Sequence, residues 1–212
     1  MIVAIDGPAA SGKGTIGAGL ARHFSLPHLD TGLLYRAVGL AVLNALEAPD
    51  LEQRAVRAAL AIDTGQLDPV VLGTPQVALA AAKVARIENV RAALRQFQRD
   101  FAAQPGGAVL DGRDMGTRIC PEADAKLFVT ARPKVRAGRR TAQLRSRGME
   151  ADEDEILAQI IARDESDTSN PAGAFYLATD AHLLDTSELD IEAALRAAIE
   201  IVDAAMAGKS GK

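Results

Sequence analysis

Residues 2–15 of the chain read IVAIDGPAASGKGT, a short apolar run that leads directly into a glycine-rich loop. The run 2–5 predicts a buried strand, and the apolar spacing after the loop predicts a helix. The pattern G-x-x-x-x-G-K lets backbone N–H groups and a helix N-terminus surround an anion, while the lysine reaches the outer phosphates of a nucleotide. We therefore predict a phosphate-binding loop formed by Gly7, Pro8, Ala9, Ala10, Ser11, Gly12, Lys13, Gly14 and Thr15.

The residues after the lysine indicate which kind of phosphate loop this is. The strict pattern has Ser or Thr directly after the lysine, whereas this chain has Gly14 there and Thr15 one position later. The ending G-K-G-T resembles the loop of nucleoside monophosphate kinases rather than that of GTPases or motor ATPases. The alternative, a glycine-rich turn that binds nothing, is disfavoured because a strand precedes the loop and a helix follows it.

The composition of the chain favours a small ligand over nucleic acid. With 212 residues the chain is long enough for one α/β core with a small lid. Its net charge of −4 gives no overall signal for nucleic acid, and the absence of Trp with only 3% aromatic residues disfavours a base-stacking surface. Any bound anion must therefore be held by a local basic cluster.

Several single residues bear on the cellular compartment and on metal binding. The lone Cys120 cannot form an internal disulfide, which fits a reducing cytoplasm. Asp6 interrupts the N-terminal apolar run, so no signal peptide is predicted, and no uncharged apolar stretch of about 20 residues predicts a membrane span. The histidines His23, His28 and His182 lack metal-ligand spacing, so we assign them surface or packing roles. We predict a cytoplasmic protein.

Strand and helix patterns alternate along the chain. Strands are predicted at 2–5, 28–29, 108–111, 125–130 and 182–185. Helices are predicted at 14–24, 31–43, 50–60, 74–103 with a break near 86–89, 134–147, from 150–155 to about Asp164, and 191–206. The remaining segments are a short hairpin or an irregular flap at 62–74, a loop at 166–173 and a frayed tail at 208–212. This alternation predicts an α/β fold with a parallel sheet covered by helices on both faces.

Charged and hydroxyl residues follow three of the predicted strands. They are Lys13 and Thr15, then Thr31 and Arg36, then Asp111, Arg113 and Asp114. The carboxyl ends of parallel strands lie at one edge of a sheet, so we expect these side chains to face one crevice. Phosphoryl transfer depends on positioning and on neutralising negative charge, which Lys, Arg and Mg²⁺ supply. A phosphate acceptor is already largely a dianion near neutral pH, so it needs no general base.

The run DGRDMGT at 111–117, together with the loop 7–15 and LDTGLLYR at 29–36, resembles the bacterial cytidylate kinase family. The similarity extends over nearly the whole chain, and DGRDMGT is its most specific part. The resemblance implies a P-loop NTPase-like, three-layer α/β/α fold with a roughly five-stranded parallel sheet. It also implies that the γ-phosphoryl group of MgATP is transferred to CMP or dCMP.

The resemblance further implies how the chain is divided. One kinase domain would cover residues 1–207, with a monophosphate-binding region at about 31–103 and an arginine-rich lid at about 132–165. Residues 208–212 would form a disordered tail. The modest size of the chain favours a monomer.

Roles for individual residues follow from the same resemblance. Charge on the transferred group would be neutralised by Lys13, Arg36, Arg113 and Arg163. ATP would be held by the phosphate loop and by the lid residues Arg136, Arg139 and Arg140, and Thr15 would offer its hydroxyl to Mg²⁺. The acceptor nucleotide would contact Thr31, Tyr35, Arg36, Arg91, Asp111, Arg113, Asp114, Arg163 and Asp167. Arg91 and Asp114 would read the cytosine edge.

Two of these interpretations have open alternatives. Asp111 either assists Mg²⁺ through water or satisfies loop amides as the polar end of a strand. The lid arginines either close over ATP or lie on a solvated helix paired with the acidic stretch 150–155.

Two positions depart from the family pattern. A base-contacting Ser is expected where the chain has Ala82, and a phosphate-binding Arg is expected where it has Asn170. The strand-rich insert also looks shortened between 62 and 74. Two alternatives therefore stay open: a phosphate-loop kinase for another small acceptor such as UMP, AMP or shikimate, and a non-catalytic regulator that binds ATP.

Overall fold

The computed structural model describes residues 1–169 and 175–210. Within them, one sheet is formed by five parallel strands, β1 (Ile2–Asp6), β2 (His28–Asp30), β3 (Ala108–Gly112), β4 (Ala125–Thr130) and β5 (His182–Asp185). Their spatial order is β2-β3-β1-β4-β5, so β1 lies at the centre of the sheet. The first strand is almost wholly apolar and buried, as expected for a parallel strand covered on both faces.

Helices connect the strands and cover the sheet. They are α1 (Lys13–Phe24), α2 (Thr31–Ala41), α3 (Leu51–Leu60), α4 (Pro75–Val84), α5 (Glu88–Ala102), α6 (Pro133–Ser146), α7 (Glu153–Ser169) and α8 (Ile191–Ser210). Short 3₁₀ turns lie at Leu43–Ala45, Thr64–Gln66 and Val71–Gly73, and a π-helical turn lies at Met115–Ile119. No helix within the described ranges is both long enough and apolar enough to cross a membrane.

Two hydrophobic cores lie on opposite faces of the sheet. On one face, Leu34 of α2 and Leu94 of α5 pack in a cluster with residues of β3. On the other face, Leu20 of α1, Leu127 of β4 and Val202 of α8 form the second cluster. Each of these five side chains is at most 1% exposed. The predicted three-layer α/β/α fold with a five-stranded parallel sheet is therefore confirmed.

Local capping explains where two helices begin. The Asp30 carboxylate accepts a hydrogen bond from the Gly32 N–H at 2.9 Å and caps α2. The Thr74 hydroxyl oxygen accepts a hydrogen bond from the Val77 N–H at 3.3 Å, and proline occupies the first turn of α4. These caps fix the helices that lead away from the carboxyl edge of the sheet.

Two predicted helix ends are wrong. Helix α7 continues to Ser169, whereas we predicted an end near Asp164 and a loop from Ser166. The Thr168 hydroxyl donates to the Asp164 carbonyl oxygen at 2.8 Å, so a residue that favours loops is satisfied within the helix. Helix α8 continues to Ser210 instead of ending near Met206, because the alanine-rich run before Gly208 favours helix.

The segment between Ile62 and Thr74 is an irregular flap, so the hairpin alternative is wrong. It contains the 3₁₀ turns Thr64–Gln66 and Val71–Gly73 and no strand. The Asp63 carboxylate accepts a hydrogen bond from the Gly65 N–H at 2.9 Å and thereby stabilises the first turn.

Candidate active site

The phosphate loop joins β1 to α1 at the carboxyl edge of the sheet. Gly12 has a φ of 94° and precedes the first helical residue, and Ala10 has a φ of 59°. Gly7 approaches β4 so closely that a Cβ there would lie 2.0 Å from the Val129 carbonyl oxygen. This backbone requires glycine or another small residue at positions 7, 10 and 12, and the chain has Gly7, Ala10 and Gly12 there.

The loop presents donors that lack acceptors. Helix α1 begins without a side-chain cap and without an acidic residue in its first turn. The Ser11 hydroxyl is buried and has no hydrogen-bond partner among the described residues. Unpaired donors at a helix N-terminus form an anion site, so the loop fits the phosphates of a nucleotide.

Lys13 lies in the loop at the start of α1. Its Nζ donates to the Pro8 carbonyl oxygen at 3.4 Å. The pKa of the Lys13 ammonium is lowered to about 8, mainly by burial and also by the charge of Arg113, while Asp111 and Asp30 oppose the shift. A bound phosphate would remove much of this penalty, because an opposite charge favours the ammonium form. The Thr15 side chain is exposed on the same first turn.

An arginine cluster faces the loop across the crevice, formed by Arg36, Arg113, Arg140, Arg147 and Arg163. Burial is the main cause that lowers the pKa of Arg36, Arg140 and Arg163, and charge repulsion from the other arginines of the cluster lowers it further. The pKa of Arg163 falls to about 10, and its buried Nε has no hydrogen-bond partner among the described residues. Cations forced together in this way favour a bound anion.

The members of this cluster are held by backbone carbonyls and one carboxylate. Arg36 donates to the Leu72 carbonyl oxygen at 2.8 Å, and Arg140 donates to the Gly73 carbonyl oxygen at 3.3 Å. Arg113 donates from Nε to the Asp167 carboxylate at 2.7 Å, and its guanidinium lies 5.6 Å from the Phe175 ring centroid. The flap 62–74 thus contacts two arginines that we predicted to bind phosphate.

The last turns of α7 place Asp167 next to Arg163. The two residues are one helical turn apart, and the Arg163 Nε is 4.0 Å from the Asp167 carboxylate. Asp167 therefore lies between Arg113 and Arg163 and partly neutralises both. Asn170, where the family pattern has an arginine, lies outside the described residues.

Arg91 and Asp114 form a buried ion pair one residue beyond Arg113 of the arginine cluster. Arg91 donates from Nη2 to the Asp114 carboxylate, and the side chains are 9% and 7% exposed. The Arg91 guanidinium lies 5.9 Å from the Tyr35 ring centroid, and burial raises the pKa of the Tyr35 hydroxyl to about 12. Arg91 of α5 and Asp114 after β3, which we predicted to read the base, thus lie next to Tyr35 of α2, which we predicted to contact the acceptor.

The predicted lid arginines bind α6 to the phosphate loop and to its neighbours. Arg136 is 2% exposed and donates to the Ala131 and Ala9 carbonyl oxygens, at 2.8 Å and 3.1 Å, and to the Asp164 carboxylate of α7. Arg139 donates to the Thr186 carbonyl oxygen at 2.7 Å and to the Ser11 carbonyl oxygen at 3.4 Å. The solvated-helix alternative is therefore wrong for Arg136 and Arg139.

Comparison with known proteins gives the family. A family model described as cytidylate kinase matches residues 3–204 of this chain. The cytidylate kinase of Bradyrhizobium sp. (strain ORS 278) is 54% identical over 210 residues, and that of Rhodopseudomonas palustris (strain BisB18) is 55% identical over 209 residues. Each alignment covers 99% of both chains. The chain belongs to the cytidylate kinase family.

A solved structure shares the fold at low sequence identity. It is the crystal structure of an uncharacterized protein from Eubacterium ventriosum ATCC 27560, which is 15% identical with a TM-score of 0.53. The alignment covers 96% of this chain and 98% of that chain. At this identity the comparison supports the fold alone.

In this cytidylate kinase family member, two acidic residues have contacts that sequence reasoning missed. The buried Asp6 carboxylate accepts hydrogen bonds from the Met115 and Gly116 N–H groups, each at 2.8 Å. Burial raises the pKa of Asp6 to about 6, although both N–H groups lower it. The Asp111 carboxylate contacts the His28 Nε2 at 2.8 Å, and within residues 1–169 and 175–210 it accepts no hydrogen bond from a loop amide, so the loop-amide alternative for Asp111 is wrong there.

The signal for Asp6 was present in the sequence, because it is an acidic residue at the end of an otherwise apolar buried strand. His28 gave no comparable signal. The Thr31 hydroxyl donates to the Asp111 carbonyl oxygen at 2.8 Å, so Thr31 joins β2 to β3 in addition to its predicted substrate role. Ala82 is exposed, whereas its neighbour Ala81 is buried against α2.

Proposed function

We propose that the protein transfers the γ-phosphoryl group of MgATP to the phosphate of CMP or dCMP, giving ADP and CDP or dCDP. Membership of a family of ATP-dependent phosphotransferases supports this reaction class. The observation that carries the proposal is that one crevice holds a phosphate loop, an arginine cluster facing it and the buried Arg91–Asp114 pair.

On the donor side, the loop amides, the Ser11 hydroxyl and Lys13 would bind the ATP phosphates. When bound, Mg²⁺ would neutralise part of the negative charge of the ATP phosphates. The exposed Thr15 hydroxyl and the Asp111 carboxylate are the groups that would hold the ion, and hydroxyl and carboxylate oxygens are suitable ligands for it.

On the acceptor side, Arg36, Arg113 and Arg163 would bind the monophosphate. An acceptor phosphate oxygen attacks the γ-phosphorus, the bond to the β,γ-bridging oxygen breaks, and ADP leaves. Because the acceptor is largely a dianion, no side chain has to remove a proton. The arginines and Lys13 would stabilise the charge that spreads over the transferred group.

The base would be recognised by Arg91 and Asp114. A carboxylate accepts a hydrogen bond from the exocyclic amine of cytosine, and a guanidinium donates to its acceptor atoms. Uracil has a carbonyl oxygen in place of that amine, so a carboxylate there disfavours UMP. This arrangement favours CMP and dCMP over UMP, AMP and GMP.

We further infer that one domain over 1–207 contains a monophosphate-binding region at about 31–103 and a lid at about 132–165. With both nucleotides bound, the lid would close over the phosphates and exclude water, with Arg136, Arg139 and Arg140 on its inner side. Amide exchange in α6 should slow when a bisubstrate analogue binds. Unchanged exchange would contradict lid closure.

We also infer a monomer that acts in the cytoplasm on small nucleotides without nucleic acid. The net charge of −4 and the local, rather than extended, basic cluster support a small anionic substrate. Light scattering of the purified chain with and without MgATP would test the oligomeric state.

The experiment that tests the proposed function is ADP production from MgATP with CMP, dCMP, UMP, AMP and GMP supplied separately, each beside a blank without acceptor. We expect turnover with CMP and dCMP well above the others. Comparable turnover with UMP or AMP would indicate a kinase with another acceptor. ATP binding without acceptor-dependent ADP production would indicate the regulator.

A further inference from the structure

His28 occupies a junction between the sheet and the phosphate-loop helix. It begins β2, and its Nε2 lies 2.8 Å from the Asp111 Oδ2 at the end of β3. The contact passes directly beside α1, since a Cβ at Gly17 would lie 2.7 Å from the His28 Nε2 and 3.4 Å from the Asp111 Oδ2. This hydrogen bond therefore links side chains of β2 and β3 beneath the first turns of α1, in addition to the backbone pairing of the two strands.

The Asp111 carboxylate depends on this contact. Asp111 is 1% exposed, and among the described residues its carboxylate has no hydrogen-bond partner other than His28. A buried carboxylate without a donor is costly and free to rotate, so the imidazole N–H both satisfies Oδ2 and sets the plane of the group.

The Asp111 carboxylate lies beside the first turns of α1. A Cβ at Gly14 would lie 3.9 Å from Oδ2 and 4.0 Å from Oδ1, and Gly14 is adjacent to Thr15. At Gly17, one turn further along α1, Oδ2 is the Asp111 atom nearest to the added Cβ. Lys13 and Asp30 also lie within range of the Asp111 charge. With Oδ2 held by His28, Oδ1 is left for the ion that accompanies ATP.

We propose that His28 is a positioning residue that orients Asp111 toward the Mg²⁺ bound with ATP. This inference rests on the proposed use of MgATP. A hydrogen-bond partner behind a metal-interacting carboxylate affects metal affinity by about 10-fold to 100-fold in other proteins. His28 should therefore affect how strongly Mg²⁺ promotes ATP binding and should not affect acceptor binding.

Three variants and one control test this role. In His28→Leu the donor is lost at similar size, in His28→Asn the amide is too short to reach Oδ2, and in His28→Gln the amide can donate in place of the imidazole. The control is His23→Leu, because His23 is an exposed histidine on α1. A thermal unfolding curve for each variant identifies any that does not fold.

The measurement is ATP affinity by calorimetry in EDTA and in saturating Mg²⁺. We expect His28→Leu and His28→Asn to lose about 10-fold or more of the Mg²⁺-dependent gain in ATP affinity, and to keep the affinity measured in EDTA. His28→Gln should restore most of the gain, and His23→Leu should match the wild type. In turnover assays the KM for Mg²⁺ should rise while the KM for CMP stays the same.

Each other result contradicts the proposal. An equal loss of ATP affinity with and without Mg²⁺ would mean that His28 only supports packing, and an unchanged Mg²⁺-dependent gain would mean that Asp111 is positioned without it. If His28→Leu does not fold, His28→Asn and His28→Gln decide the question. Since calorimetry uses no acceptor, a wild type that fails to phosphorylate CMP would contradict the proposed function and leave this result intact.

Discussion

At the scale of single residues, Asp6 links the phosphate-loop strand to the loop that carries Asp114. Its carboxylate accepts hydrogen bonds from the N–H groups of the two residues that directly follow Asp114, so it fixes the backbone next to the carboxylate that we propose reads the base. Forming this link requires the Asp6 carboxylate to be buried, which is energetically unfavourable for its charged form. Asp6 thus connects the donor half and the acceptor half of the crevice.

This burial predicts a pH dependence of stability. The pKa of Asp6 rises from 3.8 to about 6 in the folded state, so the native protein holds this proton more tightly than the unfolded chain. The stability that Asp6 contributes is therefore fully present below the lower pKa and is lost as pH rises through the higher one. The free energy of unfolding of the wild type relative to Asp6→Asn should fall by on the order of 2 kcal/mol across that range. Urea denaturation from pH 4 to pH 7 would measure it, and a constant difference would contradict the assignment.

Asp114 should determine the choice of base. We expect Asp114→Asn to lower kcat/KM for CMP by on the order of 10²-fold and to lower it much less for UMP, because the cytosine amine loses an ionised acceptor and keeps only a neutral amide oxygen. The readout is the CMP to UMP ratio, which a general loss of stability would not change. Asp100→Asn, an exposed aspartate on α5, is the matched control. An unchanged ratio in Asp114→Asn would mean that the carboxylate does not contact the base.

At the scale of elements, the close packing of α2 on α4 positions Tyr35 and Arg36. Gly39 of α2 allows this approach, because a Cβ there would lie 2.7 Å from the Ala81 backbone nitrogen and 3.0 Å from the Ala80 carbonyl carbon. Backbone atoms cannot move aside as a flexible side chain can. Helix α2, which carries two residues that we propose bind the acceptor, is therefore held by a contact that has room only for glycine.

Gly39→Ala should separate these two helices. We expect it to lower the free energy of unfolding by about 1–3 kcal/mol and to raise the KM for CMP, because overpacking displaces α2. Gly208→Ala is the control, since no atom lies within 4 Å of the added Cβ and alanine favours the helical conformation of α8. Chemical denaturation of both variants would measure the difference. Equal stability of Gly39→Ala and the wild type would contradict the packing argument.

At the scale of the whole molecule, an acidic chain concentrates its cations in one crevice. The net charge is −4, yet Lys13 lies within range of the charges of Arg113 and Arg163. We therefore expect the local electric field of these cations, rather than the total charge of the chain, to attract the phosphates of a nucleotide. The fold achieves this by placing the ends of β1, β2 and β3 next to one another.

The sequence was sufficient for features that depend on neighbouring residues. All five strands were predicted, and β1, β3 and β4 contain the short apolar runs that favour buried strands. The phosphate loop followed from glycine spacing, and the predicted start of a helix at 74 agrees with the start of α4 at Pro75. Each of these features is decided within a few positions of the chain.

Features that depend on distant residues were not predictable from the pattern. Arg91 has the helical spacing of a surface residue, and it is buried because Asp114 approaches it from the end of β3. His28 meets Asp111 across 83 positions, and no periodicity reports such a contact. Helix α7 extends beyond its predicted end because the Thr168 hydroxyl donates to the Asp164 carbonyl oxygen and the Asp164 carboxylate pairs with Arg136. Tertiary contacts outweighed local propensity in each case.

The proposal that the phosphate loop and the arginine cluster catalyse phosphoryl transfer is tested most directly with the Lys13→Ala variant. The measurement is the rate of phosphoryl transfer from MgATP to CMP. We expect kcat to fall by on the order of 10²-fold or more, because the variant loses a preorganised charge that stabilises the transferred phosphoryl group. Lys83→Ala, which removes an exposed lysine paired with Glu47, should retain wild-type turnover. Turnover of Lys13→Ala within a few-fold of the wild type would contradict the claim that this crevice transfers phosphate.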